Sequence, residues 1–144
     1  MTFLGEYQHA LDDKGRLFIP ARLREGLGSP FVATRGLDRC LFAYPLPEWS
    51  RIEEKLRQLP LTQAEARAFV RLLLAGASYV EVDRAGRVLL PSHLREYAGL
   101  EREVVVLGVG SRVEFWAASA WKEYARQVQS SFEALAEKIV GLGI

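Results

Sequence analysis

Asp12-Asp13-Lys14-Gly15-Arg16-Leu17-Phe18-Ile19-Pro20-Ala21-Arg22-Leu23-Arg24-Glu25 recurs, at an offset of 71, as Asp83-Arg84-Ala85-Gly86-Arg87-Val88-Leu89-Leu90-Pro91-Ser92-His93-Leu94-Arg95-Glu96. Seven of the 14 positions are identical, and positions 17 to 19 stay apolar in both copies. After one inserted residue the correspondence continues at an offset of 72, where Gly36 meets Gly108 and Trp49 meets Trp121. The chain therefore reads as two copies of one unit, residues 5–49 and 76–121, with connecting helices over 50–75 and a C-terminal helix over 122–144. A unit of about 45 residues buries too little to be secure alone, so the halves are expected to share a core.

Each copy carries the same local signals. Tyr7–Leu11 and Tyr79–Val82 read as short strands. Asp-x-x-Gly-Arg reads as a turn in which Gly15 and Gly86 can take positive φ. The apolar triplets Leu17–Ile19 and Val88–Leu90 return as strands. Pro20 and Pro91 stand where a helix begins, since their fixed φ suits that place. Two more strands follow in each copy, Phe31–Thr34 with Cys40–Tyr44 and Val104–Leu107 with Val113–Trp116. Helical spacing then places Trp49, Ile52, Leu56 and Leu59 on one face, and Trp121, Tyr124, Val128, Phe132, Leu135 and Ile139 on one face of a single long helix. Thr62-Gln63-Ala64-Glu65 predicts a capping box opening a helix whose buried side is Ala66, Phe69, Val70 and Leu73. The expected fold is α+β: tandem units paired about a pseudo-twofold axis into a barrel-like core with peripheral helices.

Composition narrows the function. The 144 residues are 49% hydrophobic and 26% charged, the balance of a folded protein, with no apolar run approaching the ~20 residues of a membrane span. No basic start followed by an apolar stretch suggests a secretory signal, so a cytoplasmic location is expected. The single cysteine, Cys40, excludes an intramolecular disulfide and any zinc site built on several thiolates. Net charge is only +1, but 15 of the 19 basic residues are Arg, whose planar fork suits phosphates and guanine edges. His9 and His93 do not align in the repeat, and neither has a partner at metal-ligand spacing. G-x-S-x-G, G-x-x-x-x-G-K-[ST] and H-E-x-x-H are absent, so no enzyme, cofactor or metal site is expected.

The stretch from Lys14 to Arg24 holds Lys14, Arg16, Arg22 and Arg24 and no carboxylate. Such residues on a turn and helix start could meet consecutive phosphates or a base edge, with Asp12 and Asp83 bonding to the Arg four residues on. Spacing alone is better met by a solvated hairpin tip with a local Asp–Arg pair. Arg24 and Arg95 recur beside Glu25 and Glu96, which fits equally phosphate contact or a structural salt bridge or subunit contact. Arg84 could replace the charge missing at Ala85. With Lys14, Arg22 and Arg24 around Arg16, against Ala85, His93 and Arg95 around Arg87, the first hairpin is expected to be the stronger reader.

The two Asp-x-x-x-Arg motifs, each followed by an apolar strand, a Pro and Leu-Arg, together with the opening Phe3-Leu4-Gly5-Glu6-Tyr7, resemble the MraZ family across essentially the whole chain. The resemblance implies an AbrB/MazE-like, swapped-hairpin fold in each half. It implies a bacterial transcription regulator of the division and cell-wall gene cluster, cytoplasmic and nucleoid-associated, which binds short direct repeats in promoter DNA as a closed homo-oligomeric ring. DNA contact is then assigned to Asp12, Lys14, Gly15, Arg16, Asp83, Arg84, Gly86 and Arg87, with Arg22, Arg24 and Arg95 as further phosphate contacts. The rival reading is an antitoxin-like or adaptor module whose hairpins contact another protein.

Overall fold

A computed structural model describes residues 2–141 and 143. In chain order the elements are β1 (Glu6–Ala10), β2 (Arg16–Phe18), α1 (Ala21–Leu27), β3 (Phe31–Arg35), β4 (Leu41–Tyr44), α2 (Leu46–Arg57), α3 (Ala64–Gly76), β5 (Ser78–Val80), β6 (Arg87–Leu89), α4 (Ser92–Ala98), β7 (Glu103–Val109), β8 (Arg112–Ala117), α5 (Ala118–Gln129) and α6 (Phe132–Lys138). The class is α+β.

One antiparallel sheet of six strands runs in the order β1-β7-β8-β4-β3-β5, and β2 and β6 form a separate two-stranded ribbon. Exchanging the halves turns that order into its own reverse. Each half's first strand therefore pairs with the other half's third strand, β1 with β7 and β5 with β3. The registers obey the same exchange. In the ribbon Arg16 faces Leu89 and Phe18 faces Arg87, which the offset of 71 interchanges, while Leu17 faces its own counterpart Val88. In the sheet Leu41 faces Phe115 and Ala43 faces Val113, interchanged by the offset of 72, while Phe42 faces Glu114. A pseudo-dyad thus passes through the Leu17/Val88 and Phe42/Glu114 pairs.

The barrel-like core is corrected: the sheet is open, with β1 and β5 as its edges. Two layers do the work of closure. On one face Leu17, Ile19, Leu23 and their counterparts Val88, Leu90, Leu94 pack on Phe31, Leu41, Val104 and Phe115. On the other, Trp116 and Val105 meet Trp121 of α5, and Val32 and Tyr44 meet Trp49 of α2. With both faces covered, strands such as β7 are apolar at successive positions instead of alternating.

The helices depart from expectation in three places. No side-chain cap opens α3, so the capping box does not form. Phe69 of α3 is 46% exposed, and Ala66, Val70 and Leu73 are only half-buried. The long C-terminal helix breaks into α5 and α6 at Ser130-Ser131, whose hydroxyls donate to the carbonyls of Gln127 and Val128 and compete with the helical ladder.

Candidate nucleic-acid interface

The two turns are built alike, atom for atom. Asp12 Oδ1 accepts from the backbone N–H of Lys14 and of Arg16, each at 2.9 Å, and Oδ2 accepts from Arg16 Nε at 2.7 Å. Asp83 Oδ1 accepts from the backbone of Ala85 and Arg87, each at 2.9 Å, and Oδ2 from Arg87 Nε at 3.1 Å. The third position supplies only a backbone N–H, which explains why Lys14 and Ala85 serve the turn equally. Gly15 and Gly86 take φ of +81° and +80° as each donates its N–H back to the aspartate carbonyl.

Those bonds hold both aspartates below their ordinary carboxyl value. The backbone N–H of Arg16 is the largest influence on Asp12 and that of Arg87 on Asp83, with the guanidinium adding to each. The pairing engages Nε and leaves the terminal nitrogens outside it. Among the described residues, neither terminal nitrogen of Arg16 makes a hydrogen bond, while Arg87 Nη1 lies 3.8 Å from Asp12 Oδ2. Both Arg side chains are about one-third exposed, 32% and 37%.

Period-two alternation on the ribbon buries Leu17 and Val88 completely and turns Arg16, Phe18, Arg87 and Leu89 to the opposite face. Phe18 is 37% and Leu89 58% exposed. Reading the triplets only as apolar strands did not mark these two as outward-facing. The signal was present: a partly exposed Arg16 requires residue 18 on the same side.

The helices cross over to the opposite turns. Arg95, from the second half, lies against Gly15 and donates from Nε to Leu90 O at 3.0 Å. Arg24, from the first half, lies against Gly86 with its guanidinium 5.3 Å from the Phe18 ring centroid, within cation–π range. The expectation that Arg24 supports Arg16 is therefore corrected; the strand exchange carries it to the second turn. Neither Arg24 nor Arg95 pairs with Glu25 or Glu96 among the described residues. Lys14, Arg84 and Arg22 are exposed, the first two on the turn tips and the third on α1. The result is a two-stranded ribbon carrying Arg16 and Arg87, flanked by Lys14, Arg84, Arg24 and Arg95.

Other candidate residues stand apart. His93 bonds the carbonyl of Gly76 at 3.0 Å, and His9 packs on Phe18. Cys40 is fully buried, with burial as the main influence raising its thiol far above the ordinary range. Among the described residues no cluster of His, Cys, Asp and Glu could hold a metal ion, and no helix is long and apolar enough to cross a membrane.

Comparison with known proteins finds the family described as "MraZ protein, putative antitoxin-like" twice in the chain, over residues 2–72 and 73–142. The chain is similar to proteins named transcriptional regulator MraZ from three bacteria. Identity is 60% to that of Pelotomaculum thermopropionicum, covering 99% of this chain and 98% of that protein. It is 59% to that of Moorella thermoacetica, over 99% of both chains, and 58% to that of Heliobacterium modesticaldum, over 96% of both.

Proposed function

From the premise that the chain belongs to the MraZ family, we propose that it is a transcription regulator that binds promoter DNA through the paired turns of the β2–β6 ribbon. The relatives' names support a regulator of transcription, and no step of the reading requires catalysis. One observation carries the DNA reading: each aspartate holds its arginine by Nε, twice on one ribbon, which leaves the terminal nitrogens of Arg16 without a hydrogen bond and those of Arg87 with only a 3.8 Å contact to Asp12. A two-stranded ribbon fits the major groove, and an arginine fork there matches the O6 and N7 acceptors of guanine. Lys14, Arg84, Arg22, Arg24 and Arg95 supply phosphate contacts, which give affinity and register but no sequence. Asp12, Asp83, Gly15 and Gly86 set the turns, which supports reading each half as AbrB/MazE-like, with swapped hairpins.

One ribbon reads only a few base pairs. A homo-oligomer, closed as a ring, engages several short direct repeats at once and gains affinity by avidity without new contacts. The assembly also reconciles a net charge of +1 with DNA binding, because only the ribbon face must be basic. The promoter is that of the division and cell-wall gene cluster, and the site of action is the cytoplasm, on the nucleoid.

The test is fluorescence anisotropy of the full chain with a fragment carrying tandem repeats and with the same bases scrambled, each at two salt concentrations. Tighter binding to the repeats, weakening as salt rises, is the expected result. Equal or absent binding to both fragments, with the ribbon instead capturing a protein, would favour the adaptor role.

A further inference from the structure

The outward face of the β2–β6 ribbon is a two-by-two checkerboard. Leu89 stands opposite Arg16 and Phe18 opposite Arg87, while Leu17 and Val88, between them, are fully buried on the other side. Two arginines therefore occupy one diagonal and two apolar side chains the other.

The apolar corners are related by the pseudo-dyad, yet they are not equivalent. Phe18 is held within the chain from three directions. Its ring centroid lies 5.2 Å from that of His9 and 5.3 Å from the Arg24 guanidinium, and its Cε1 is 3.1 Å from where a Cβ on Gly86 would sit. Leu89 lacks these braces. In the repeat Val80 replaces His9 and is buried in the core, and Arg95, the counterpart of Arg24, donates to the carbonyl of Leu90. Leu89 joins none of the core's hydrophobic clusters and is 58% exposed.

A single exposed leucine is ordinary on a protein surface; the position of this one is not. Arg16 is directly across the ribbon, and Arg87 is two residues back on the same strand face. Opposed side chains on an antiparallel pair start about 5 Å apart, and those two along a strand ~6.5 Å apart. Bases repeat every ~3.4 Å along a strand of duplex DNA. A ribbon that brings either arginine to a guanine thus brings Leu89 to the major-groove edge one or two base steps away. Leucine has no donor or acceptor to offer there. The apolar group on that edge is the C5-methyl of thymine.

We propose that Leu89 is a specificity-determining residue that packs on the C5-methyl group of a thymine, one or two base steps from a guanine read by Arg16 or Arg87. The proposal rests on the ribbon's being the DNA-reading surface and extends what it reads. The arginines select guanine; Leu89 selects thymine over cytosine, which lacks the methyl.

The test is fluorescence anisotropy of the full chain on the tandem-repeat fragment, with deoxyuridine replacing thymine at one position of every repeat at a time. Uracil keeps the thymine O4 acceptor and lacks only the methyl. Wild type is expected to lose about three- to fourfold in affinity per ribbon engaged at one thymine position, as one methyl-sized group is left unburied. Leu89→Ala should keep wild-type circular dichroism and Tm, since the side chain is more than half exposed. It should bind the thymine fragment more weakly by at least that factor and bind the uridine form equally well. A wild type that binds every uridine form as tightly as the thymine form overturns the methyl contact, and that result needs no variant. A folded Leu89→Ala that still prefers thymine to uridine gives the methyl to another side chain and overturns the role of Leu89. Either failure leaves the ribbon reading in place as long as wild type prefers repeats to scrambled DNA. Loss of that preference in wild type removes the reading, and this inference with it.

Discussion

Arg95 of the second half lies against Gly15 of the first, its guanidinium carbon 2.7 Å from the position a Cβ on Gly15 would occupy. The reciprocal contact, Arg24 against Gly86, follows from the same pseudo-dyad. Each turn is therefore a composite: its loop comes from one half and its bracing arginine from the other. The exchange is reinforced by backbone bonds, Ile19 N–H to Gly86 O at 2.9 Å and Leu90 N–H to Gly15 O at 3.2 Å.

This cross-bracing makes a coupling prediction. In DNA titrations, Arg95→Ala should be non-additive with Arg16→Ala, by about 0.5–3 kcal/mol, as residues sharing one local structure are. Arg95→Ala with Arg87→Ala should be closer to additive. A double-mutant cycle that finds the stronger coupling within the second half would contradict the crossover.

The ranking of the two readers also changes. By geometry Arg16 is accompanied by Lys14 and Arg95, with Asp13 as an extra carboxylate on the tip. Arg87 is accompanied by Arg84 and Arg24, its own tip carries Asp83, and Asp12 of the other turn lies 3.8 Å from its Nη1. We expect Arg87→Ala to cost about as much DNA affinity as Arg16→Ala, each about 1–3 kcal/mol per ribbon engaged. Matched titrations at one salt concentration decide it, and a clearly smaller loss for Arg87→Ala would restore the ranking read from sequence neighbours.

Lys14 is exposed, and the turn uses only its backbone N–H. Lys14→Ala should leave stability and sequence preference unchanged. It should lower the slope of log affinity against log salt by about 1 for each ribbon on DNA, the signature of one lost phosphate contact. An unchanged slope would take Lys14 off the phosphate path.

The aspartates give an acid dependence whose sign is fixed. Their folded carboxyls titrate below the ordinary 3.8 because backbone N–H groups and a guanidinium favour the charged form. The unfolded chain then binds more protons in that range. Their contribution to stability is full above about 3.8 and is lost as pH falls through the lower, folded value. Asp12→Asn/Asp83→Asn keeps Oδ1 as an acceptor but removes the charge. Thermal unfolding should show less Tm loss between pH 5 and pH 3 in that variant than in wild type. Identical acid dependence would show that other carboxylates carry it.

Much of this architecture could be read from Asp12–Glu25 and its repeat. The duplication, the turns, the apolar triplets and the helix-opening prolines are all local, and each took the predicted form. What the residues could not show by local reading was partner choice. Nothing near Tyr7 or Tyr79 states that β1 must pair with β7 and β5 with β3; that choice is settled by burying both sheet faces together. The strand exchange then relocates Arg24 and Arg95, so charge counted along the sequence misassigned their turns. Phe18 was hidden by its apolar neighbours, although alternation from Arg16 would have placed it outside. The α3 face was overread because helical spacing shows a stripe but not whether the chain itself covers it.

The account turns on the ribbon as a DNA reader, and the most direct measurement is the affinity of Arg16→Ala/Arg87→Ala for a tandem-repeat promoter fragment, beside wild type, at low and moderate salt. Both side chains are partly exposed, so the variant should keep the wild-type circular dichroism and oligomeric mass. The expected result is loss of the preference for repeats over scrambled DNA, with only weak, salt-sensitive binding remaining. A folded double variant that still binds the repeats with wild-type affinity and preference would contradict the account.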